Sequence, residues 1–206
     1  MGKICIVFVF LCCHFACAQK IVKKTIIDRH TSFVQIEAAN CFEITMQTSK
    51  TKEMVVEATI DGEYKKDLLL NIGKKGTTAI VNTSFQPNFI DPNDKLSAHK
   101  VIAIALNITI PENRNVQVYG TSCNVTATGL YKNLDIRLDD GMCTLNNVGY
   151  EIKVATQSGD IHARSSAADI DRSSKYGKIF EEVIPYGENH FELNTVTGDI
   201  HLMKIK

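Results

Sequence analysis

The chain of 206 residues is long enough for one domain or two small ones, and its 44 % hydrophobic content excludes a disordered protein. Its 23 basic residues balance 23 acidic ones, so no excess positive charge points to a nucleic-acid-binding protein. Aromatic residues make up only 7 % of the chain and tryptophan is absent, which leaves few rings for a sugar-stacking site or an aromatic cage.

Residues 1–18 have the pattern of a secretory signal peptide. Lys3 supplies a positive charge, residues 4–13 are all apolar, and residues 16–18 read Ala-Cys-Ala, which is typical of a cleavage site. We therefore expect a signal peptide at 1–18 and a single mature domain at 19–206. The apolar run is too short to span a bilayer core of about 30 Å as a helix, so no membrane span is expected after cleavage.

Three cysteines remain once the predicted leader is removed: Cys41, Cys123 and Cys143. Their spacing matches no metal-ligand motif. In an oxidising compartment Cys123 and Cys143 could form a disulfide, but the pattern favours three small buried hydrophobic side chains. Cys17 is the residue that would carry a lipid if the chain were instead a lipoprotein. The segment before it lacks the aliphatic residue that is usual three positions upstream.

The amino-terminal half predicts a series of strands. The alternation of apolar and polar residues is clearest at Val101–Ile110, before Pro111 ends it. The other predicted strands are Phe33–Glu37, Phe42–Gln47, Met54–Ile60, Leu68–Ile72 and Thr77–Thr83. We expect antiparallel hairpins that continue or cap a stack formed by the second half. A helix is expected at most as a short turn at Glu63–Leu69, and Phe85 to Lys100 is predicted to be a solvated connection.

The carboxyl-terminal half contains a regular repeat. Short alternating segments begin at Val116, Leu134, Ile152, Ile170 and, after a longer spacing, Phe191. Seven positions into the units stand Cys123, Gly141, Gly159, Gly177 and Gly198, and two positions later stand Val125, Cys143, Ile161, Ile179 and Ile200. One unit cannot bury an apolar face alone, whereas strands stacked at about 4.8 Å build a continuous core. We therefore predict an all-β, single-domain, β-solenoid-like stack of short strands with period 18, preceded by antiparallel strands. The glycines would occupy turns, where they tolerate a positive φ.

One unit departs from this pattern, because Arg172 and Glu181 stand at positions that are apolar in most other units. A buried, unpaired charge would cost several kcal/mol. Either the two charges pair, or this unit is rearranged and Val183 and Ile184 replace them in the core. We expect the rearrangement, because a turn signal and a longer spacing follow this unit.

An exposed column in the same repeat contains the best candidate site. Asp160 and Asp199 occupy one outward position, and His162 and His201 occupy the next. On neighbouring strands, two such pairs could hold a divalent metal. The unit that begins at Ile170 lies between them in sequence, and if it also lies between them in space the histidines are about 10 Å apart. We therefore predict a solvated strand face, with no metal site and no cofactor.

No arrangement of residues typical of catalysis is apparent in the sequence. Ser158 lies in a turn, and no histidine is tied to it by a motif. The charged residues that face outward or lie at corners follow no pattern beyond that of an ordinary solvated surface: Asp135, Asp139, Asp140, Lys153 and Glu192. We therefore expect a protein that is not an enzyme.

Several segments, together with the leader, resemble the bacterial putative-adhesin domains of unknown function, which are common in Bacteroidetes and related to the head domains of auto-transporter-like adhesins. These segments are Phe33-Val-Gln-Ile36, Asn107-Ile-Thr-Ile-Pro111, Ser158-Gly-Asp-Ile161 and Thr197-Gly-Asp-Ile200. The resemblance covers most of the mature chain and implies an exported, repeat-built, all-β protein without catalytic residues. The turn glycines match the family pattern, whereas Cys123 departs from it.

The sequence thus predicts an exported, non-enzymatic protein of the cell envelope, located in the periplasm or on the cell surface. It would act as an adhesin or surface-binding module whose partner is a surface protein or a glycan, because a long rigid stack offers extended faces for binding. One alternative is a periplasmic sensing or scaffold module that works with a membrane partner. A second is a carbohydrate-active enzyme built on a β-solenoid.

Overall fold

The computed structural model describes residues 19–27, 30–90 and 102–205. Within these ranges the chain forms fifteen β-strands and no α-helix, which confirms the all-β prediction. The described part accordingly has no helix long and apolar enough to cross a membrane. The predicted leader at 1–18, residues 91–100 of the predicted irregular connection, and Val101 of the next predicted strand lie outside the described residues.

The strands follow one another along the chain with mostly short connections. In chain order they are β1 (Lys20–Ile27), β2 (Phe33–Glu37), β3 (Cys41–Ser49), β4 (Glu53–Gly62), β5 (Leu68–Lys75), β6 (Thr78–Phe85), β7 (Ile102–Pro111), β8 (Asn115–Ser122), β9 (Asn124–Asp140), β10 (Cys143–Thr156), β11 (Ile161–Ser165), β12 (Asp169–Ser174), β13 (Ile179–Glu181), β14 (His190–Thr195) and β15 (Ile200–Lys204). All strands predicted in the first half are present, and β1 is an additional strand that the sequence did not indicate.

All fifteen strands belong to one sheet whose path divides into two branches. The first branch has the order β1-β4-β7-β3-β9-β10-β11-β15-β13, and the second has the order β5-β6-β2-β8-β9-β10-β14-β12. The long strands β9 and β10 are shared, because their first parts pair within the first branch and their last parts within the second. One hydrophobic core contains buried residues of both branches.

The alternation of side chains along each strand determines which residues enter this core. In β7, Ile104, Leu106, Ile108 and Ile110 are buried and alternate with more exposed neighbours. Val125, Cys143, Ile161 and Ile200 were predicted to share one interior; all four are fully buried and belong to the same cluster. Period-two patterning therefore identified the buried face in both halves of the chain, but not in β13, where Ile179 of the same predicted column is 40 % exposed.

Neighbouring strands of the second half pair in parallel, and in several pairs the partner residues lie 18 positions apart in sequence. Cys143 of β10 pairs with Val125 on one side and with Ile161 on the other. In the second branch Leu134 pairs with Val116 and with Ile152, which have the same spacing. Equivalent positions of successive units therefore form straight columns across the sheet.

The last two units do not follow chain order in space. Ile161 pairs with Ile200 and not with Ile179 of the next unit in sequence, and Ile200 pairs in turn with Ile179. The second branch shows the same exchange, since β10 pairs with β14 and β14 pairs with β12. The unit that contains β12 and β13 is therefore outermost, and the unit that contains β14 and β15 lies between it and the rest of the sheet.

This outer position explains the two charges that interrupt the repeat. Arg172 lies on β12 and Glu181 on β13, and their partly exposed side chains form an ion pair. The prediction that Val183 and Ile184 replace the two charges in the core is wrong. Val183 is 89 % exposed, and Ile184 is only partly buried against the core. Because the two strands lie at the margin of the sheet, both charged groups keep contact with water and avoid most of the cost of burial.

Strand directions in the first half differ in part from the prediction. The pairs β1–β4, β4–β7 and β5–β6 are antiparallel, as expected. However, β2 is parallel to β6 and β8, and β3 is parallel to β7 and β9, so the prediction of antiparallel hairpins throughout is wrong. The reason is that β2 and β3 enter different branches, and each then pairs with strands that come much later in the chain.

The turn glycines are required by close approach between neighbouring units. A Cβ added at Gly159 would overlap the backbone carbonyl of Gly141, one added at Gly198 would overlap that of Gly159, and one added at Gly177 would overlap that of Gly198. In this column only Gly141 has a positive φ, of 100°. Space for the adjacent backbone, rather than an unusual φ, is therefore the common reason for glycine here.

The three cysteines of the described chain are free and buried. Burial raises the pKa of the Cys143 thiol to about 12 and that of Cys41 to about 11. A thiol with so high a pKa is a poor nucleophile at neutral pH. The three side chains thus occupy the core as small hydrophobic groups.

The glycine column yields a direct test by substitution. We expect Gly159→Ala to lower the free energy of unfolding by about 1–3 kcal/mol, because the new methyl group forces two backbones apart. Urea unfolding followed by circular dichroism measures this change. Gly73→Ala is the matched control, since a Cβ there meets nothing within 4 Å. It should leave stability unchanged or slightly raised, and equal effects of both substitutions would contradict the assignment.

Candidate functional site

The outward side of the first branch carries a row of side chains, which are threonines on two strands and aromatic rings on the next three. Thr126, Thr144, His162, His201 and Phe180 occupy paired positions on successive strands. The His162 and His201 rings are stacked with centroids 4.5 Å apart, and Phe180 stacks on His201 at 4.7 Å. We call His162, His201 and Phe180 the histidine stack.

The close contact of the two histidines corrects the spacing considered from the sequence. His162 and His201 are direct neighbours, because β15 lies beside β11 and the unit of β13 lies outside both. The assumption that the intervening unit separates them in space is wrong. The exchange of the last two units is the physical reason, and it places Phe180 at the end of the stack instead of its middle.

The acidic residues of this column bind backbone groups of the next unit. The Oδ1 atom of Asp160 accepts a hydrogen bond from the Asp199 N–H at 2.7 Å, and the Oδ1 atom of Asp199 accepts one from the Lys178 N–H at 2.7 Å. Asn124 accepts in the same way from the Met142 N–H at 2.9 Å. In the described ranges no group of three or more histidine, cysteine, aspartate or glutamate residues is arranged to hold a metal ion. The contacts of these carboxylates join successive turns.

The surroundings of His162 disfavour its protonated form. Partial burial lowers the pKa of His162 from its ordinary value, and the neighbouring His201 and Arg164 lower it further, while Asp160 acts in the opposite direction. If both stacked rings carried a proton, their like charges would repel each other. The histidine stack is therefore favoured when His162 is neutral.

The outward side of the second branch carries a broader polar surface. One row of polar side chains crosses neighbouring strands and consists of Gln35, Gln117, Asp135, Lys153 and Glu192. Four further residues flank this row: Glu37, Tyr119, Arg137 and Asn194. We call these nine residues the polar face. Two pairs of neighbours in the row are joined by hydrogen bonds. Gln117 donates to Asp135 at 3.1 Å, and the Lys153 Nζ donates to both carboxylate oxygens of Glu192 at 2.8 and 2.7 Å. These bonds hold the planar amide and carboxylate groups in fixed orientations.

Arg137 connects the row with the exposed ring of Tyr119. Its guanidinium donates to both oxygens of Asp135, at 3.1 and 2.9 Å, and lies 5.9 Å from the centre of the Tyr119 ring. Tyr119 remains 38 % exposed. A shallow groove of about 390 Å³ is lined by Glu37, Tyr119, Arg137 and Asp139, among others.

A second groove lies farther along the same surface. It has a volume of about 270 Å³ and is lined by Asn133, Asp135, Glu151, Lys153, His190 and Glu192, together with two aliphatic residues. A hydrogen bond from Lys153, aided by its charge, lowers the pKa of Glu192 below its ordinary value, so this carboxylate stays ionised at neutral pH. The polar face thus offers hydrogen-bond donors and acceptors, both charged and neutral, beside two grooves.

Sequence reasoning did not find this surface. Asp135, Lys153 and Glu192 were interpreted as ordinary solvated residues, whereas the structure aligns them in one row with Gln117. A signal was present, because positions 117, 135 and 153 have the same spacing as the buried columns. The outward positions thus form columns with the same spacing as the inward ones.

The state of His162 produces a pH dependence of stability. A histidine whose pKa is lower in the folded than in the unfolded chain binds its proton more readily when unfolded, so stability is full above about pH 6.5 and declines below it. We expect urea midpoints to fall less between about pH 7.5 and about pH 5 in His162→Gln than in the unmodified protein. In parallel, NMR titration should place the His162 midpoint below the value of free histidine. A midpoint at or above that value would contradict the assignment.

Comparison with known proteins identifies a solved structure of similar fold. No family model and no curated protein matches this sequence. Among solved structures, the chain is similar to a putative cell adhesion protein from Clostridium sporogenes, with a TM-score of 0.58 and 17 % identity, covering 91 % of this chain and 100 % of that one. Weaker similarity extends to a putative adhesin from Bacteroides fragilis, with a TM-score of 0.37 and 12 % identity over 92 % of this chain and 99 % of that one.

A putative lipid binding protein from Parabacteroides distasonis gives a TM-score of 0.27 and 14 % identity over 90 % of this chain and 97 % of that one. At these identities the comparisons speak to the fold alone, and only the first exceeds a TM-score of 0.5. The chain therefore has the fold of the Clostridium sporogenes protein, and the resemblance to bacterial adhesin domains that the sequence indicated is confirmed at the level of the fold.

Proposed function

We propose that this protein is an exported, non-enzymatic binding module of the cell envelope, which contacts a surface protein or a glycan through the polar face. The observation that carries the proposal is the row of polar groups, in which Gln117 bonds to Asp135 and Lys153 to Glu192. Tyr119 and Arg137 lie beside it at a groove of about 390 Å³. The name of the Clostridium sporogenes protein refers to cell adhesion, and a shared fold supports a related role here.

The chemistry of the polar face suits recognition of another molecule. Tyrosine and arginine are enriched at binding hot spots, because they combine a large contact area with directed hydrogen bonds. Here the Arg137 guanidinium lies over the Tyr119 ring and is also bonded to Asp135. Because these contacts already fix the Arg137 side chain, less conformational entropy is lost when a partner binds. Strands on both sides hold the residues in place, so the surface is formed before the partner arrives.

The architecture supports the same proposal. Parallel pairing in step with the period of the repeat, with glycine at the close turns, favours a β-solenoid-like stack for the second half of the chain. Such a stack repeats its outward positions at about 4.8 Å intervals. An extended partner could therefore meet equivalent groups on several strands at once.

Binding is tested with variants on the two outward faces. The chain from Gln19 onward, which contains every described strand, is measured by biolayer interferometry against immobilised panels of purified polysaccharides and of extracellular proteins. We expect saturable binding to a member of one panel and a loss of about tenfold or more in affinity for Tyr119→Ala and Arg137→Ala, which remove contact area and a charged donor. Thr126→Ala, on the first branch, is the control and should bind normally.

Equal binding by all three variants, or turnover of a polysaccharide that substitution of Asp135 or Glu192 abolishes, would contradict the proposal. The unfolding midpoint of each variant separates loss of binding from loss of fold.

Export is tested separately in cells that produce the full chain. The leader pattern predicts cleavage after Ala18, so mass spectrometry of the protein from the envelope fraction should give Gln19 as the first residue. Protease added to intact cells distinguishes the two locations: degradation indicates the cell surface, and protection indicates the periplasm. Recovery of the uncleaved chain from the cytoplasm would contradict export.

A further inference from the structure

The two ends of the sheet carry opposite charges on their edge strands. At one end lie β1, with Lys20, Lys23 and Lys24, and β5, with Lys74 and Lys75; neither strand contains an acidic residue. The Lys20 Nζ donates to the Leu68 carbonyl at 2.8 Å, so this lysine joins the two edge strands. We call β1 and β5 the basic end.

The opposite end is formed by β12 and β13, which the ion pair between Arg172 and Glu181 joins. A cleft of about 360 Å³ opens between them, and its charged lining consists of Asp169, Arg172, Glu181 and Glu182. Three carboxylates against one guanidinium make this cleft acidic, although Lys175 and Lys178 lie in the turn between the two strands. We call β12, β13 and this cleft the acidic end.

Large apolar side chains are exposed at the acidic end. Tyr176, Ile179, Phe180, Val183 and Tyr186 are between 40 % and 89 % exposed. At the basic end Ile21 of β1 is 64 % exposed, beside the lysines of the same strand. Each end therefore combines charge with apolar area, which a charged cap facing only water would not need.

Within the described part of the chain, each edge strand also has one side open for pairing. Among the described strands, β1 pairs with β4 alone, β5 with β6 alone, β12 with β14 alone and β13 with β15 alone. An edge strand offers backbone donors and acceptors to another chain, and charged side chains determine which chain can approach. Two basic ends repel each other, whereas a basic end and an acidic end attract.

We propose that copies of this protein associate head to tail, with the basic end of one copy docked at the acidic end of the next. β1 combines three lysines with the exposed Ile21, and the cleft at the acidic end combines carboxylates with apolar side chains. A contact between two different surfaces of the same chain is heterologous, so it extends into a linear assembly unless the rotation closes a ring. This association is independent of what the polar face binds.

Two charge-reversal variants test the direction of the contact. Lys23→Glu with Lys24→Glu makes both ends acidic, and Asp171→Lys with Glu182→Lys makes both ends basic. All four side chains are exposed, so these changes spare the core. The matched control, Glu43→Lys with Lys132→Glu, reverses two exposed charges in the middle of the sheet, on β3 and β9.

The average mass of the chain from Gln19 onward is measured by analytical ultracentrifugation over a range of concentrations. We expect the unmodified protein and the control to exceed the mass of one copy at about 10 mM salt, and to approach one copy at about 1 M salt, where the screening length falls from about 30 Å to about 3 Å. Each end variant alone should remain a single copy. An equimolar mixture of the two should associate again, because each basic end then meets an acidic one.

A mass of one copy at every concentration in low salt would overturn the proposal. So would an assembly that persists in both end variants, because that contact would not depend on the opposed charges. Failure of the mixture to associate, while the unmodified protein does, would show that the ends do not meet each other. Circular dichroism of each variant establishes that it is folded before its mass is interpreted.

Discussion

Close contact between the turns of neighbouring units is the constraint on which the second half of this protein depends. Each turn glycine lies against the backbone carbonyl of the preceding unit in space, and a single methyl group would separate them. This contact keeps adjacent strands in register, so that Val125, Cys143, Ile161 and Ile200 enter one interior. The inward columns and the outward columns both follow from that register, because side chains alternate strictly across each strand.

The exchange of the last two units has consequences on both surfaces. It brings His162 and His201 into contact and places Phe180 at the end of their stack. It also moves Arg172 and Glu181 to the margin of the sheet, where the ion pair between them remains in contact with water. The same sequence in strict chain order would place a guanidinium and a carboxylate between two apolar units, at a cost of several kcal/mol if they were unpaired. In the outermost position the paired charges keep contact with water and avoid this cost.

The polar face and the two charged ends use the regular sheet in different ways. On the polar face, Gln117 bonds to Asp135 and Lys153 bonds to Glu192 across neighbouring strands, which orients these groups beside two grooves. At the ends, each edge strand leaves one side without a neighbour among the described strands, and the sign of the charge differs between the ends. A repeating architecture therefore provides both a broad lateral surface and two distinct termini, without any change in the interior that supports them.

The sequence by itself determined the all-β class and the buried face of nearly every strand, because these depend on the alternation of side chains along the chain. It did not determine that β2 and β3 enter different branches, that the last two units exchange places, or that Gln117, Asp135 and Lys153 line up in one row. Those features depend on which distant strands pair. Many partners satisfy the same local pattern, and only the packing of the whole chain around one core selects among them.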